Sequence, residues 1–265
     1  MEYIEITSRK NKTILAASMI AADKKARDSS GLFAVEGIKL LEEAVLESLD
    51  IESIFFTQKA LKLYGEFIEK VKCEGLYLVS DEVYEKMSDE ISPQGVFACV
   101  RKKETGVLTD KELTEGGFVI LEDIQNPLNI GAVLRCAFSM GFEKIIFTKG
   151  CADIYSPKCA RAAMGSLFKI KAFYTDDIEN TVRRIAQKGN KIYCTRLDEK
   201  SLKLGSVEFS KKDSFVIGNE GHGVKKELAE ACTHSLYIPM NTGAESLNAA
   251  TAAAIVMWEM RRNNI

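Results

Sequence analysis

Along the first part of the chain the apolar positions change their period in a regular way. "GIKLLEEAVLES" (residues 37–48) and "KALKLYGEFIEKV" (59–71) place apolar residues at helical spacing, and "DEVYEKMS" (81–88) reads as a shorter helix. Between them, "IESIFFT" (51–57), "LYLVS" (76–80) and "GVFACVRK" (95–102) are short runs rich in β-branched and aromatic residues, which predict strands. The pattern is that of a small α/β unit. "KKETGVLTDKELTEGG" (102–117) then loses apolar periodicity and reads as a linker. Beyond it "FVILEDI", "KIIFTKG", "LFKIKAFY", "KIYCTRL", "SFVIGNE" and "LYIPM" predict a second strand series with helices between. Strands alternating with helices imply a mostly parallel sheet with right-handed crossovers. The expected division is 1–103 as one domain, 104–116 as linker and 117–265 as a second α/β domain. In parallel sheets ligands bind beyond the carboxyl ends of strands. "VIGNEGHG" and "YIPMNTGAESLN" both fall there, so they are expected to line one site.

Composition narrows the class. With 265 residues and 46% apolar content the chain can bury a substantial core. A net charge of −2 excludes a globally basic nucleic-acid coat, so any polyanion contact must be regional. From Arg9 to Arg27 there is such a region: Arg9, Lys10, Lys12, Lys24, Lys25 and Arg27 are opposed only by Asp23. It fits either a solvated helix face or a phosphate-tracking patch. Seven cysteines, none in a C-x-x-C pair, read as reduced thiols of a cytoplasmic protein. His222 and His234 lack ligand spacing to any cysteine, so no metal is expected. The N-terminal residues carry no apolar signal core, and "AATAAAIVMW" is too short to span a bilayer. These features predict a soluble intracellular protein.

Three stretches could carry chemistry. In "LEDIQNPLNIGAVLRCAF" (121–138) a strand ends in polar residues and a helix begins near Leu128 or Asn129. Asn129 suits a helix cap. Arg135, flanked by apolar neighbours, is expected on or beside a buried face, in need of a partner. In "VIGNEGHGV" (216–224) the glycine intervals match neither the dinucleotide fingerprint nor the triphosphate loop. Its Glu220 is a natural partner for Arg135. In "IPMNTGAESLNAATAAAIVMWEM" (238–260) Thr242 and Glu245 fit a capping box, with Ser246 and Asn248 in the first turn of the helix. Ser246 lacks the G-x-S-x-G elbow of a hydrolase nucleophile.

Together, "NPLNIGAVLRCA", "IGNEGHG" and "IPMNTGAESLNAATAAAI", in this order over residues 118–262, resemble the three motifs of the SpoU (TrmH-type) RNA ribose 2′-O-methyltransferases of the SPOUT superfamily. "RAAMG", Arg161 to Gly165, is similar to a further family signature. The N-terminal unit resembles the family's ribosomal-protein-like substrate-binding domain through "SRKN", "LFAVEGIKLLEEAV" and "SPQGVFACV". The resemblance implies an α/β fold whose parallel sheet is tied as a trefoil knot, a smaller N-terminal α/β domain, and a homodimer with a shared active site. It implies S-adenosylmethionine as cofactor, with Gly218, Ile238 and Leu247 as its principal contacts and Thr195 and Met240 as lesser ones.

The implied reaction is attack of an RNA ribose 2′-hydroxyl on the sulfonium methyl group, for which no metal is needed. Positioning two bound substrates in line supplies much of such catalysis. The family gives the central role to the arginine matching Arg135, often as a base. A guanidinium resists deprotonation in proteins, so a clamp on the target phosphate and the developing alkoxide is the preferred role here. Glu220 would orient it or assist with the proton, and Asn129, Ser246 and Asn248 would position ribose, cofactor and backbone. Lys158 and Arg161 join Arg9, Lys25 and Arg27 as candidate RNA contacts, or else form an ordinary exposed first turn. The expected target is large-subunit ribosomal RNA. The alternatives are transfer RNA, a catalytically silent RNA-binding protein and an ordinary nucleotide-binding α/β enzyme.

Overall fold

The structure, a computed structural model, describes residues 2–243 and 246–262. The chain folds as two compact units, one holding the chain up to Lys103 together with Asp153–Phe168, the other Glu104–Ala152 and the chain from Lys169 onward.

The first unit contains β1 (Ile4–Ile6), α1 (Lys12–Ala22), α2 (Lys24–Ser30), β2 (Leu32–Glu36), α3 (Ile38–Leu46), β3 (Ile51–Thr57), α4 (Gln58–Ile68), β4 (Cys73–Val79), α5 (Asp81–Met87) and β5 (Val96–Arg101). Its five-stranded sheet has the order β1-β4-β3-β5-β2. β5 runs antiparallel to both neighbours, while β1, β4 and β3 are parallel. The strands predicted at 51–57, 76–80 and 95–102 are β3, β4 and β5.

The second unit opens with α6 (Asp110–Glu115), β6 (Phe118–Leu121), α7 (Pro127–Ser139) and β7 (Lys144–Thr148). After α8 (Pro157–Ala163), which belongs to the first unit, it continues with β8 (Lys171–Thr175), α9 (Ile178–Gln187), β9 (Ile192–Thr195), β10 (Leu202–Lys203), β11 (Ser214–Ile217), α10 (Lys226–Ala231), β12 (His234–Tyr237) and α11 (Ala249–Arg261). Its seven strands, ordered β10-β12-β9-β11-β6-β7-β8, pair in parallel throughout. The central β6 and β11 are buried at every position, as parallel strands covered on both faces require. From β6 the sheet grows outward through β7 and β8, then the chain crosses to the other side and inserts β11 between β9 and β6. The loops after β6 and β11 therefore leave the sheet side by side at a topological switch point.

Two expectations about organisation need correction. The segment read as a linker contains α6, whose N-cap Thr109 accepts from the Glu112 N–H and whose Leu113 is fully buried. One well-placed leucine on a two-turn helix is too short a pattern for periodicity to register. The segment Asp153–Phe168, expected in the second domain, packs in the first unit, where α8 lies on β2. Two ion pairs hold it there: Arg27 Nε to Asp153 Oδ2 at 2.7 Å and Arg161 to Glu36 at 3.3 Å.

These pairs also revise two candidate RNA contacts. Arg27 is buried and donates further to the carbonyls of Ile20 and Ala21 at 2.8 and 2.9 Å. Its Nε and Nη1 donors are spent on the fold, since a buried cation must be paired and hydrogen-bonded. Arg161 is half-buried against Glu36 and Glu90. Lys25 and Lys158 are exposed, as is Arg9, which donates to the Glu82 carbonyl at 2.7 Å.

Glu36 gives this unit a pH dependence. Burial pushes its carboxyl above the ordinary 4.5, against the opposing pull of Ser88, Arg161 and Tyr84. For an acid whose folded pKa is raised, the favourable contribution is complete below the unfolded value and is lost as pH rises through the folded one. Denaturant melts on the acid and neutral sides of pH 4.5 should therefore show Glu36→Gln flattening a loss of stability that the parent chain suffers with rising pH.

Candidate active site

The loop after β6 and the loop after β11 meet in a network centred on Asn129. α7 starts at Pro127, and its cap is Asn126, whose side chain accepts from the Leu128 N–H at 3.0 Å. Proline at the first helical position fixes that start. Asn129 is consequently not the cap but an inward-facing residue of the first turn, with its amide free for tertiary bonds. Its Nδ2 donates to Glu220 Oε1 at 2.9 Å, and its Oδ1 accepts from Asn248 Nδ2, also at 2.9 Å. The Oδ1 of Asn248 caps α11, accepting from the N–H groups of Ala250 and Thr251. The N-cap of that helix is therefore Asn248, and Ser246 precedes the first turn. Glu245, the expected partner in a capping box, lies outside the described residues.

Glu220 is held from three directions. Besides Asn129 it accepts from the backbone N–H groups of Gln125 and Asn126 at 3.2 Å each. Desolvation raises its pKa, but these donors together more than offset it, and the net shift is downward from 4.5. Glu220 is thus a carboxylate at neutral pH and acts as an acceptor. The expected Glu220–Arg135 pair does not form. Arg135 is exposed on α7, and among the described residues its side chain makes no hydrogen bond or ion pair. The apolar neighbours at 132–134 and 136–138 are only one row of the helix from solvent, so their sequence proximity says little about the direction of residue 135.

Beside this network lies a pocket of ≈ 810 Å³ at the carboxyl ends of β9, β11 and β12. Thr195, Gly218, Ile238, Met240 and Leu247 all line it, together with Glu220 and Ser246. Thr195 spends its hydroxyl on the Val216 carbonyl at 3.0 Å, tying β9 to β11. Ile217, Val224, Leu236, Ile238 and Ala252 supply apolar wall, and Arg196, His222, Lys225 and Lys226 add polar lining. An apolar cleft of this size with a few convergent polar groups suits a nucleoside-bearing cofactor. Arg135 and Asn248 are not among its lining residues.

The glycine loop answers to its own backbone as much as to any ligand. A Cβ on Gly218 would lie 2.1 Å from the Gly223 carbonyl carbon and 2.2 Å from the Val224 nitrogen. The loop folds back on itself through Gly223 N–H to Asn219 O at 2.9 Å, and the Asn219 side chain accepts from Gly221. Asn219 also donates to the Asp123 carbonyl at 2.7 Å. Sequence reasoning passed over Asn219, although an Asn two residues before a Gly is a recognisable side-chain turn. It also passed over Asp123 and Lys225, which pair at 2.6 Å.

Comparison with known proteins fits this geometry. The sequence model of the SpoU rRNA Methylase family matches residues 117–258, more than half of the chain. The chain belongs to that family. The MRM3-like substrate binding domain matches residues 20–98. Among relatives, the 23S rRNA (guanosine(2553)-2′-O)-methyltransferase RlmP of Bacillus subtilis is 28% identical over 97% of this chain and 99% of its own length. The 23S rRNA (uridine(2479)-2′-O)-methyltransferase of Streptomyces viridochromogenes is 26% identical over 98% and 92%. The AdoMet-bound rRNA methyltransferase of Sinorhizobium meliloti superposes with a TM-score of 0.83 at 26% identity, covering 98% of both chains. Among the described residues there is no cluster suited to a metal ion and no helix long and apolar enough to cross a membrane.

Proposed function

We propose that this protein transfers the methyl group of S-adenosylmethionine to a ribose 2′-hydroxyl of large-subunit ribosomal RNA. One observation carries the reading: Glu220 belongs both to the wall of the cofactor-sized pocket and to the Asn129–Asn248 network beside it. A site for the donor and a set of fixed polar groups thus adjoin, as an in-line transfer demands. Thr195, Gly218, Ile238, Met240 and Leu247 would hold the cofactor, which when bound supplies a methyl group on a cationic sulfonium.

The chain's own residues then position and stabilise. Asn129, fixed by Glu220 and Asn248, keeps the β6 loop and the start of α11 in one arrangement. Ser246, exposed at the pocket edge, is available to the incoming ribose or to the cofactor. Arg135, its fork of donors unspent among the described residues, would grip the target phosphate and the developing alkoxide. As the ribose oxygen–methyl bond forms and the methyl–sulfur bond breaks, the hydroxyl proton leaves to water. Exposed Arg9, Lys10, Lys12, Lys24, Lys25 and Lys158 are among the basic groups of the first unit open to RNA phosphates. The two ribosomal RNA enzymes above act on different nucleotides at nearly equal identity to this chain, so the target nucleotide does not carry over.

The reading includes a homodimer. α7 and α11 pack together and leave Leu128, Arg135 and Phe138 of one helix and Ile255 and Trp258 of the other exposed, with Trp258 at 55%. A second copy is the occupant that would cover this stripe and bring groups to Arg135. Cytoplasmic residence is part of the same reading, supported by seven cysteines that are all free.

The direct test of the cofactor pocket is Gly218→Ala. Its methyl group would press on backbone that cannot turn away, so S-adenosylmethionine affinity should fall at least roughly tenfold. Equilibrium dialysis measures it. Unchanged affinity in a folded variant would contradict the assignment of the pocket.

A further inference from the structure

We propose that Glu122 is a positioning residue for the cofactor loop, its buried carboxyl fixing the path of residues 218–225 along the pocket. The inference rests on the cofactor reading above. Glu122 follows β6 directly and is 1% exposed. Its backbone N–H donates to the Ile217 carbonyl at 2.9 Å, just before the glycine loop begins. Its Oε2 accepts from the Lys225 N–H at 3.0 Å, just after the loop ends. One residue therefore grips both ends of the loop.

Its neighbour completes the clasp. Asp123, with a left-handed φ of 51°, accepts from Asn219 through its carbonyl and from Lys225 Nζ through Oδ2, while Thr148 donates to Oδ1 at 2.6 Å. The exit of the loop matters to the pocket because Gly223 and Val224 lie directly against Gly218. Releasing the Lys225 backbone would let that wall move. Glu122 does not itself line the pocket, so it acts through the loop and not on the reacting atoms.

The chemistry of the carboxyl narrows its role. Oε1 has no hydrogen-bond partner among the described residues, and Lys225 Nζ lies 3.9 Å from it. Burial pushes its pKa up. A side chain that works through one accepting oxygen can be replaced by an amide, whereas one that works through charge cannot.

The test uses the full chain with Glu122→Ala and Glu122→Gln. Removing the acceptor leaves the partly buried Lys225 N–H unpaired, so Ala should raise both Kd and KM for S-adenosylmethionine roughly tenfold. Because Glu220 within the loop stays bonded to Asn129, Gln125 and Asn126 when only the loop's exit is released, kcat should stay within about twofold. Gln should recover most of the affinity. Exchange of the Lys225 amide, followed without cofactor, should be slow in the parent chain and in Gln and fast in Ala. Gln as impaired as Ala, or Ala lowering kcat at unchanged KM, would overturn the proposal. If the parent chain bound no S-adenosylmethionine the cofactor reading would fail, and amide exchange would still decide for or against the clasp. Should Ala not fold, retained protection of Lys225 in Gln supports the proposal and lost protection overturns it.

Discussion

Replacing Arg135 by alanine should lower kcat for methyl transfer by roughly 10³-fold, the loss expected when a preorganised charge facing a developing anion is removed. Affinity for S-adenosylmethionine should not change, because Arg135 stands outside the pocket wall. Nor should stability: an exposed side chain without hydrogen-bonded partners among the described residues contributes within about 0.5 kcal/mol. That combination separates a catalytic residue from a structural one, and steady-state kinetics with a thermal melt records both. Arg135→Lys adds the distinction between clamp and base. A lysine keeps the charge but loses the planar fork. If the arginine is a clamp, activity stays low across the pH range. If it is a base, activity rises as pH approaches the lysine's own titration.

Asn129→Ala should reduce kcat by about 10²-fold, the cost of a small misplacement of reacting groups. The mechanism differs from that of Arg135. Asn129 joins Glu220 to Asn248 through two 2.9 Å bonds, so its removal frees the glycine loop, the β6 loop and the start of α11 from one another. A stability loss of about 1–2 kcal/mol should accompany it, since both partners lose a bond in a partly buried setting. Asn129→Asp should be at least as harmful, because a second carboxylate would face Glu220 Oε1. The same network predicts an acid limb in activity. The folded pKa of Glu220 is lowered, so its contribution is complete above the unfolded value and is lost as pH falls through the folded one. Kinetics on the acid side of pH 4.5, compared between the parent chain and Glu220→Gln, check this: the variant should lack the limb.

Much of the second unit was legible because parallel strands buried on both faces announce themselves as apolar runs, and polar turn chemistry at their carboxyl ends marks the ligand side. The apolar runs that open 118–124 and 214–220 are β6 and β11, and their polar ends are both loops of the site. What escaped was direction. Two asparagines three residues apart, Asn126 and Asn129, are equally good caps by type, and only Pro127 between them shows which one starts the helix. Arg135 has apolar neighbours, yet an α-helix turns by about 100° per residue, so a flanking pattern does not reveal which face is covered. Buried cations were illegible for a related reason. Arg27 sits in a run of basic residues that looks solvated, and its partner Asp153 lies 126 positions away. Arg161 likewise meets Glu36 across 125 positions. Short elements defeat pattern reading too, as α6 does with its single buried leucine, although the Thr109 to Glu112 interval carries the signature of a helix start.

The central claim is methyl transfer to a ribose of ribosomal RNA, and the most direct measurement is transfer from radiolabelled S-adenosylmethionine. Unmodified large-subunit ribosomal RNA and unmodified transfer RNA should be offered in parallel, followed by mapping of 2′-O-methylated nucleotides. Label is expected at one ribosomal nucleotide, on the ribose, and absent with Arg135→Ala. Label on a base, label confined to transfer RNA, or no label in either pool would contradict that claim.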